Sequence, residues 1–448
     1  MQEVKIIGAG LAGSEASLQL SKRGIKVKLY EMRPNKTTGA HVTEDCAEFV
    51  CSNSLGSADI SNASGLLKKE MELLDCELLK IAYENAVPAG NALAIAREDF
   101  SQAVTEKIKN DPNIELIREE ITEIPEGNVI IASGPLTSDK FADAIQKFTK
   151  NEHLHFFDAI APIVEIDSIN FDKAFWASRY DKGEASYINC PMNKEEYENF
   201  YNILINAPRI EQHQVDKTSK YFESCLPVEV LASRGTDTLR FGPMKPVGLI
   251  DKRTGIENYA VVQLRQDNSA KTLFNLVGFQ TNLKWSAQKE LVHSIPGLEN
   301  ANIVRYGVMH RNTFINSSQV LNPTLETKER ENLFFAGQIT GTEGYTESIA
   351  TGMLAGINMA RKLCNQEILS LPRETMLGAI TFYITDKAHL EHISSRDNSL
   401  RYLPPQPINS NWGILPSIEL PKGERKNKKL KNELLAKRAV EALEKVLN

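Results

Sequence analysis

The sequence has no apolar run long enough to cross a membrane. No stretch of its 448 residues approaches the roughly 18 uninterrupted apolar residues that a membrane-spanning helix needs. The first residues, MQEVKIIGAG, include an acidic residue and an early glycine pair, where a signal peptide has a basic start and an apolar core. We therefore expect a cytoplasmic protein that does not enter the membrane.

Cysteine is scarce, and no two cysteines form a C-x-x-C pair. The six cysteines are Cys46, Cys51, Cys76, Cys190, Cys225 and Cys364. Their spacing matches neither a zinc site nor a disulfide framework, so no metal is expected. Dithiol exchange needs a second thiol close to the first, so the sequence argues against a dithiol oxidoreductase.

Basic charge is not in excess either. The chain has 52 Lys and Arg against 58 Asp and Glu, a net charge of -6. A protein that binds nucleic acid mainly through its overall charge is usually basic, so any RNA partner must contact a local basic patch. Apolar residues make up 42% of the chain, which excludes wholesale disorder, and its length predicts two or three domains.

The N-terminus reads as a β-α-β unit. Val4–Ile7 is predicted to form a buried strand, Ser14–Lys22 a helix, and Ile25–Tyr30 a second strand with alternating apolar residues. The first turn holds the G-x-G-x-x-G motif, whose residues are Gly8, Ala9, Gly10, Leu11, Ala12 and Gly13. In this motif the three glycines permit a tight turn, a close approach to a pyrophosphate, and helix–strand packing. Glu31 ends the second strand, where an acid accepts hydrogen bonds from ribose hydroxyls, so the unit predicts dinucleotide binding.

A second glycine cluster lies more than 300 residues later. Gly337, Gln338, Gly344 and Tyr345 belong to it, and a helix is predicted to follow over Ser348–Leu363. By itself the cluster could be an ordinary loop. Combined with the N-terminal unit it favours FAD, since an extended dinucleotide needs a second helix N-terminus near its flavin end. Ser133 and Gly134, after a predicted strand at Asn128–Ala132, would add a third backbone contact.

These distant clusters bracket a middle region with a different pattern. We predict an α/β fold in which a Rossmann-like FAD-binding domain is discontinuous, over 1–159 and 306–448, with an inserted α+β domain over 160–305. Two single elements are also predicted, a helix over Ser64–Leu79 and a strand over Phe156–Ile166.

Several longer motifs identify a family. They are GAGLAGSEA from Gly8, EMRP from Glu31, CSNSLGS from Cys51, SGPLTS from Ser133, LRFGPMKPVGL from Leu239, QDNSA from Gln266, NLVGFQTNLKW from Asn275, YGVMHRNTFINS from Tyr306 and GQITGTEGY from Gly337. With them the chain resembles, over nearly its whole length, the folate- and flavin-dependent tRNA (uracil-5-)-methyltransferases. The related flavoprotein that modifies wobble uridines shares the N-terminal motif, but it is longer and is not expected to carry the motifs of the inserted domain.

The resemblance implies a reaction. FAD, reduced by NADPH or NADH, would receive the methylene group of 5,10-methylenetetrahydrofolate and pass it to carbon 5 of a T-loop uridine (position 54) of tRNA, giving 5-methyluridine. Carbon 5 of uracil is a poor nucleophile, so a thiolate first adds to carbon 6, and a base later removes the proton from carbon 5. Two alternatives stay open: the same chemistry on ribosomal RNA, and an FAD-dependent NAD(P)H oxidoreductase with a small substrate.

The resemblance also assigns roles to residues. It favours Cys225 as the nucleophile, with Cys51 as a proton-transfer group or an assistant to the adduct, and Glu223 as a group that orients Cys225 or moves protons. His310 would stack on the pterin, while Arg311 would pair with the glutamyl tail or a flavin phosphate. Arg33, Gln338 and Tyr345 complete the cofactor-binding residues, with Tyr345 near the flavin ring.

For the RNA, the candidate basic patch combines two regions. They are Arg234, Arg240, Lys245, Lys252 and Arg253 in the insertion, and the run from Lys422 to Lys431 in the tail. Contacts of these residues with phosphates would position the tRNA and would weaken with salt.

Overall fold

The structure is a computed structural model. It describes residues 3–150, 154–159, 161–181, 184–210, 220–221, 226–256, 258–307, 309–386, 407–421 and 427–447, and of residues 154–159, 220–221 and 309–311 it describes the backbone.

The described residues form both strands and helices along the chain. The strands are β1 (Glu3–Ile7), β2 (Lys26–Glu31), β3 (Ser54–Ser57), β4 (Ala86–Val87), β5 (Ala92–Ile95), β6 (Ile114–Arg118), β7 (Asn128–Ile131), β8 (Leu154–Ala159), β9 (Ile163–Glu165), β10 (Phe175–Ala177), β11 (Tyr187–Met192), β12 (Lys220–Tyr221), β13 (Ala260–Gln266), β14 (Leu273–Leu276), β15 (Ile303–Arg305), β16 (Met309–Phe314) and β17 (Leu333–Phe335). The helices are α1 (Leu11–Ser21), α2 (Ala63–Leu73), α3 (Glu77–Glu84), α4 (Arg97–Lys109), α5 (Asp139–Thr149), α6 (Lys194–Asn206), α7 (Val228–Ser233), α8 (Thr238–Phe241), α9 (Trp285–His293), α10 (Ser317–Val320), α11 (Tyr345–Leu363), α12 (Met376–Thr385) and α13 (Lys428–Leu447).

A parallel sheet forms the centre of the first domain. Its five strands follow the order β17-β7-β1-β2-β6, and every neighbouring pair is parallel. Ile6 of β1 lies between Leu29 and Ile130, and all three are buried, as expected for a sheet covered by helices on both faces. The strand order reverses between β1 and β7. In such sheets ligands bind in the crevice at this switch point, beyond the carboxyl ends of the strands.

Helices α1 and α11 pack unusually closely beside this crevice. A Cβ atom on Gly352 would lie 2.2 Å from the Ala12 carbonyl oxygen, and one on Gly356 would lie 2.8 Å from that of Ala16. The glycines on α11 therefore let its backbone contact α1 directly. This contact fixes the N-terminus of each helix at the same crevice.

The middle of the chain forms a second core. A six-stranded sheet of order β10-β11-β13-β14-β9-β15, antiparallel at each pairing, packs with α6, α7, α8 and α9 around buried residues from Ala161 to Ala301. β8 and β16, which precede and follow this region, pair antiparallel with Met309 opposite Ala159 and Phe314 opposite Leu154. The discontinuous Rossmann-like fold with an inserted α+β domain is confirmed, while the boundaries at 160 and 305 stay a prediction.

Two single-element predictions are wrong. The helix predicted over Ser64–Leu79 is two helices, because α2 ends at Leu73 and Asp75 takes a left-handed conformation (φ 61°) before α3 begins. The strand predicted over Phe156–Ile166 is also two elements, since β8 and β9 belong to different sheets. No helix in the described part of the chain is long and apolar enough to span a membrane.

Candidate cofactor and catalytic site

A first cavity of about 980 Å³ lies at the switch point of the parallel sheet. It brings together most of the predicted cofactor-binding residues, namely Gly8, Gly10, Leu11, Ala12, Glu31, Arg33, Ser133, Gly134, Gly337, Gln338 and Tyr345. These residues come from the turns after β1, β2, β7 and β17. They meet because the carboxyl ends of parallel strands share one edge of the sheet.

The space around the glycines of the first turn fits a dinucleotide. A Cβ atom on Gly8 (φ +102°) would lie 2.6 Å from the Ala132 carbonyl oxygen, and one on Gly13 would lie 1.8 Å from that of Gly8. Gly10 instead has no atom within 4 Å of its Cβ position. Two of the glycines are thus needed for packing, and the third leaves open space at the start of α1, where a pyrophosphate can approach the helix N-terminus.

Glu31 is held in place at the end of β2. Its carboxylate accepts the Ala9 N–H (3.0 Å), the Arg33 N–H (3.0 Å) and the Arg33 Nε–H (2.9 Å). Burial tends to raise the pKa of Glu31, but the ion pair with Arg33 and the hydrogen bonds outweigh burial and hold that pKa below its ordinary value. Glu31 is therefore ionised and able to accept further hydrogen bonds from ribose hydroxyls.

Arg33 holds Glu31 and the neighbouring loop in place. Besides Glu31, its guanidinium donates to Glu48 Oε2 (3.0 Å), to the Thr43 carbonyl (3.0 Å) and to the Asp45 carbonyl (3.1 Å). Each nitrogen of its guanidinium thus has a protein partner. Arg33 lines the cavity, and its observed contacts orient Glu31 and the loop at 43–48.

A second cavity of about 970 Å³ adjoins the first. The two share the lining residues Val50, Pro135, Leu136, Gln338 and Tyr345. The second cavity adds Cys51, Asn312, Glu343 and Glu347, with Gly344 at the N-terminus of α11. An elongated ligand can therefore extend from the glycine turn after β1 to the thiol of Cys51.

Cys51 and Tyr345 lie in contact in the wall of the second cavity. The Tyr345 hydroxyl accepts the backbone N–H groups of Val50 (3.0 Å) and Cys51 (2.8 Å), and its oxygen lies 2.9 Å from Cys51 Sγ. Burial, followed by the neighbouring Cys51, raises the pKa of Tyr345 well above its ordinary value. The phenol is therefore protonated at neutral pH. Because its oxygen already accepts two N–H groups, its own proton is available to the sulfur of Cys51.

A buried polar network, the interface network, joins the Cys51 loop to the inserted domain. Arg97 donates to the Phe49 carbonyl (3.0 Å), to the Cys51 carbonyl (3.4 Å) and to Asp267 Oδ1 (2.9 Å). Asn53 accepts from Arg265 Nε (2.9 Å) and from Asn275 Nδ2 (3.1 Å). The members of the interface network are Asn53, Arg97, Arg265, Asp267 and Asn275.

The remaining predicted residues fall into three groups. Ala9 and Gly13 do not line either cavity: Ala9 is fully buried and donates its N–H to Glu31, while Gly13 packs on Gly8. Cys225 and Glu223 lie outside the described residues. His310 and Arg311 belong to β16, opposite Asp158 and Phe157 of β8, and the next residue of that strand, Asn312, lines the second cavity.

Several of the predicted basic residues already have protein partners. Arg240 lies over the ring of Tyr259, with 3.5 Å to the centroid, and pairs with Asp237 at 2.7 Å. Lys252 pairs with Asp181 (3.0 Å) and Arg253 with Asp251 (2.9 Å). In the tail, Lys428, Lys429 and Lys431 belong to α13, and residues 422–426 lie outside the described residues.

Sequence reasoning missed four residues of the site. Glu343 and Glu347 line the second cavity, and their position in the second glycine cluster, at the start of a predicted helix, could have indicated them. Asn312 lies within the YGVMHRNTFINS motif, but its position beside a cavity has no signal in the sequence. Arg97 is the first residue of α4, where an arginine is usually solvated, and only the folded chain brings it to Cys51.

Comparison with known proteins identifies the family. A family model described as "Glucose inhibited division protein A" matches residues 3–367. Two relatives named "Methylenetetrahydrofolate--tRNA-(uracil-5-)-methyltransferase TrmFO" match almost end to end. The protein from Bacillus velezensis is 53% identical over 99% of this chain and 98% of its own length, and the one from Anoxybacillus flavithermus is 54% identical over 99% of both.

Among solved structures, Aquifex aeolicus GidA has the same fold. It superposes with a TM-score of 0.67 at 16% identity, covering 99% of this chain and 73% of that one. The incomplete coverage of GidA agrees with a shorter chain of the same architecture. The resemblance drawn from the motifs is confirmed: this chain belongs to the methylenetetrahydrofolate--tRNA-(uracil-5-)-methyltransferase TrmFO family.

Proposed function

We propose that this chain transfers the methylene carbon of 5,10-methylenetetrahydrofolate to carbon 5 of a T-loop uridine (position 54) of tRNA. Its relatives are named for a folate-dependent reaction at this carbon of uracil. The single observation that carries the proposal is the continuity of the two cavities, which joins a dinucleotide-binding turn to the Cys51–Tyr345 pair. A cofactor bound in the first cavity can therefore extend to the Cys51 thiol, and a pyrimidine can react beside that thiol.

FAD is the cofactor that fits this pair of cavities. The turn after β1 would hold its pyrophosphate at the N-terminus of α1, Glu31 would bind the ribose, and the N-terminus of α11 would face the flavin end. When bound, FAD supplies the redox chemistry and the one-carbon transfer that no side chain supplies. NADPH or NADH is the proposed reductant.

The protein contributes a nucleophile and a proton-transfer group. The Cys225 thiolate adds to carbon 6 of uracil and makes carbon 5 electron-rich, and Glu223 orients that thiol. Once carbon 5 has bonded to the transferred carbon, Cys51 takes the proton from carbon 5, and the Cys225 thiolate is expelled from carbon 6. The Tyr345 hydroxyl, 2.9 Å from Cys51 Sγ, stabilises the thiolate that Cys51 needs for this step.

The substrates would approach from the side of the inserted domain. His310 would stack on the pterin of the folate, and Arg311 would pair with the anionic glutamyl tail. Arg234, Arg240, Lys245, Lys252, Arg253 and the Lys422–Lys431 run are the proposed phosphate contacts. The target uridine must be extruded from the T loop, as in other enzymes that modify a base.

One assay tests the proposal and its alternatives. Methylenetetrahydrofolate labelled in its methylene carbon is incubated with the FAD-loaded protein, NADPH, and an unmodified tRNA transcript or a ribosomal RNA fragment. We expect label in 5-methyluridine of the tRNA. Label only in the ribosomal fragment would favour the ribosomal alternative. Oxidation of NADPH with no labelled RNA would favour a small-substrate oxidoreductase.

Cysteine variants test the nucleophile in the same assay. Cys225→Ala should abolish transfer while the flavin stays bound, because the covalent step loses its nucleophile. Cys364→Ala is the matched control, since Cys364 is an exposed thiol at the end of α11. A Cys225→Ala protein that still methylates tRNA would contradict the assignment.

A further inference from the structure

Asn312 has an unsatisfied amide in the wall of the second cavity. The residue is 1% exposed, and neither its Oδ1 nor its Nδ2 has a hydrogen-bond partner. Among the described residues it is the one side chain with both a buried donor and a buried acceptor left unpaired. Such groups cost free energy unless a ligand or water satisfies them, so this amide calls for a bound partner.

The strand that carries Asn312 is anchored beside the cofactor cavity. The N–H of the next residue, Thr313, donates to the Pro135 carbonyl (3.0 Å), so β16 is bound to the loop that follows β7. Pro135 and Leu136 of that loop line both cavities. Asn312 therefore lies where the two cavities meet, with Cys51 and Tyr345 also in the wall of the second cavity.

The pair of unsatisfied atoms defines the chemistry of the partner. A carboxamide presents an acceptor oxygen beside a donor nitrogen, so a group that has an N–H beside a carbonyl pairs with both atoms at once. This lactam edge occurs in flavin, pterin and uracil rings alike. The flavin is favoured because Asn312 is almost wholly buried, and the resident cofactor, which reaches from the first cavity, contacts the walls before the substrates enter.

We propose that the Asn312 carboxamide binds the lactam edge of the flavin ring of FAD and thereby fixes the ring beside Cys51. The proposal rests on the proposed function only in taking FAD as the cofactor. Asn312 is then a cofactor-recognition residue whose role no sequence motif indicates.

The test compares two ligands and two proteins. Apoprotein is titrated with FAD and with FAD methylated at N3, which lacks the lactam N–H, and the change of the visible flavin spectrum is followed. Wild-type protein should bind FAD roughly tenfold more tightly than the methylated analogue. Asn312→Ala leaves room for the methyl group, so it should bind both alike, and FAD about tenfold more weakly than wild type does.

A stability measurement separates recognition from a structural role. Apo Asn312→Ala should have a Tm no lower than that of the wild-type apoprotein, because the removed amide makes no hydrogen bond. Asn358→Ala is the matched control: Asn358 is fully buried, accepts the Leu369 N–H (2.9 Å) and donates to two carbonyls. It should lower the apoprotein Tm and keep the preference for FAD over its analogue.

Other outcomes overturn the proposal. If wild-type and Asn312→Ala proteins preferred FAD over the N3-methylated analogue to the same extent, the proposal would be overturned. The proposal would also be overturned if Asn312→Ala bound FAD as wild type does but bound tetrahydrofolate or a T-loop RNA more weakly in its FAD-loaded form. That result would show that the amide binds the pterin or the uracil. Absence of FAD binding by the wild-type protein would overturn both proposals. FAD binding with the expected preference but without methyl transfer would overturn the proposed function alone.

Discussion

Gly10 and Gly13 belong to one motif, but only Gly13 is confined by neighbouring atoms. Because a Cβ atom on Gly10 has no neighbour within 4 Å, Gly10→Ala should leave the Tm of the apoprotein nearly unchanged. The added methyl group would occupy the space that a pyrophosphate needs, so we expect FAD affinity to fall by about a hundredfold. Thermal unfolding of the apoprotein and a flavin titration measure the two effects.

Gly13→Ala is the contrasting variant. Its Cβ would lie 1.8 Å from the Gly8 carbonyl oxygen, so this substitution should destabilise the apoprotein itself. Wild-type flavin affinity in Gly10→Ala would contradict the position we give the pyrophosphate. The spacing of the motif alone predicted these separate roles. It did not predict the role of Arg33, whose partners in the loop at 43–48 follow no sequence pattern.

At the scale of the elements, Glu70 joins two helices. It lies in α2, is fully buried, and accepts the backbone N–H groups of Met376 (2.6 Å) and Leu377 (2.9 Å) at the start of α12. Burial raises its pKa from 4.5 to about 8, although the two hydrogen bonds oppose the shift. The folded state therefore keeps a proton that the unfolded state releases between pH 4.5 and 8.

This difference gives the stability a pH dependence of known sign. The contribution of Glu70 is fully present below pH 4.5 and is lost as the pH rises through 8. The free energy of unfolding of wild type, minus that of Glu70→Gln, should fall by at most about 1.4 kcal/mol per pH unit in this interval. Urea unfolding from pH 5 to 8.5 measures it. Glu72→Gln, on the exposed side of α2, is the control, and a flat difference for Glu70→Gln would show that the shift is absent.

The end of α2 is not predicted by the periodicity of apolar residues. Apolar residues continue at helical spacing from Ser64 to Leu79, so the sequence predicts one helix. The chain instead turns at Asp75 (φ 61°), and the Cys76 N–H donates to the Met71 carbonyl (3.0 Å). The N-terminus of α3 then donates two N–H groups to the buried carboxylate of Glu15 on α1, at 3.1 and 2.7 Å. A short segment of sequence around α2 does not predict this tertiary contact, because Glu15 is distant along the chain.

At the scale of the whole molecule, the Cys51 loop depends on the inserted domain. Asn53 donates to the Gln266 carbonyl (2.8 Å), and Arg97 pairs with Asp267, which is 170 positions further along the chain. The sequence predicted the two domains and both glycine turns, because local apolar periodicity and glycine motifs indicate them. It did not predict the interface network, because each residue of the network contacts partners that are distant in the sequence and that only the fold brings near.

Arg97→Lys tests this dependence. Lysine keeps the positive charge but lacks the planar set of donors that contacts Phe49, Cys51 and Asp267 together, so the loop should loosen. We expect the free energy of unfolding to fall by about 1–3 kcal/mol. Alkylation of Cys51, followed by mass spectrometry of its peptide, should become several-fold faster, with the exposed Cys364 as internal reference.

A second arginine in the same kind of ion pair supplies the control for that experiment. Arg253 pairs with Asp251 at 2.9 Å, but its side chain is 47% exposed, whereas that of Arg97 is 8% exposed. Arg253 also donates to the Phe171 and Ala174 carbonyls (2.6 and 3.0 Å) but makes no contact with the Cys51 loop, so Arg253→Lys should leave the alkylation of Cys51 unchanged. If Arg97→Lys behaves like Arg253→Lys, Arg97 does not position the Cys51 loop. If only Arg97→Lys exposes Cys51, the contacts of Arg97 with the Phe49 and Cys51 carbonyls and with Asp267 hold the Cys51 loop in place.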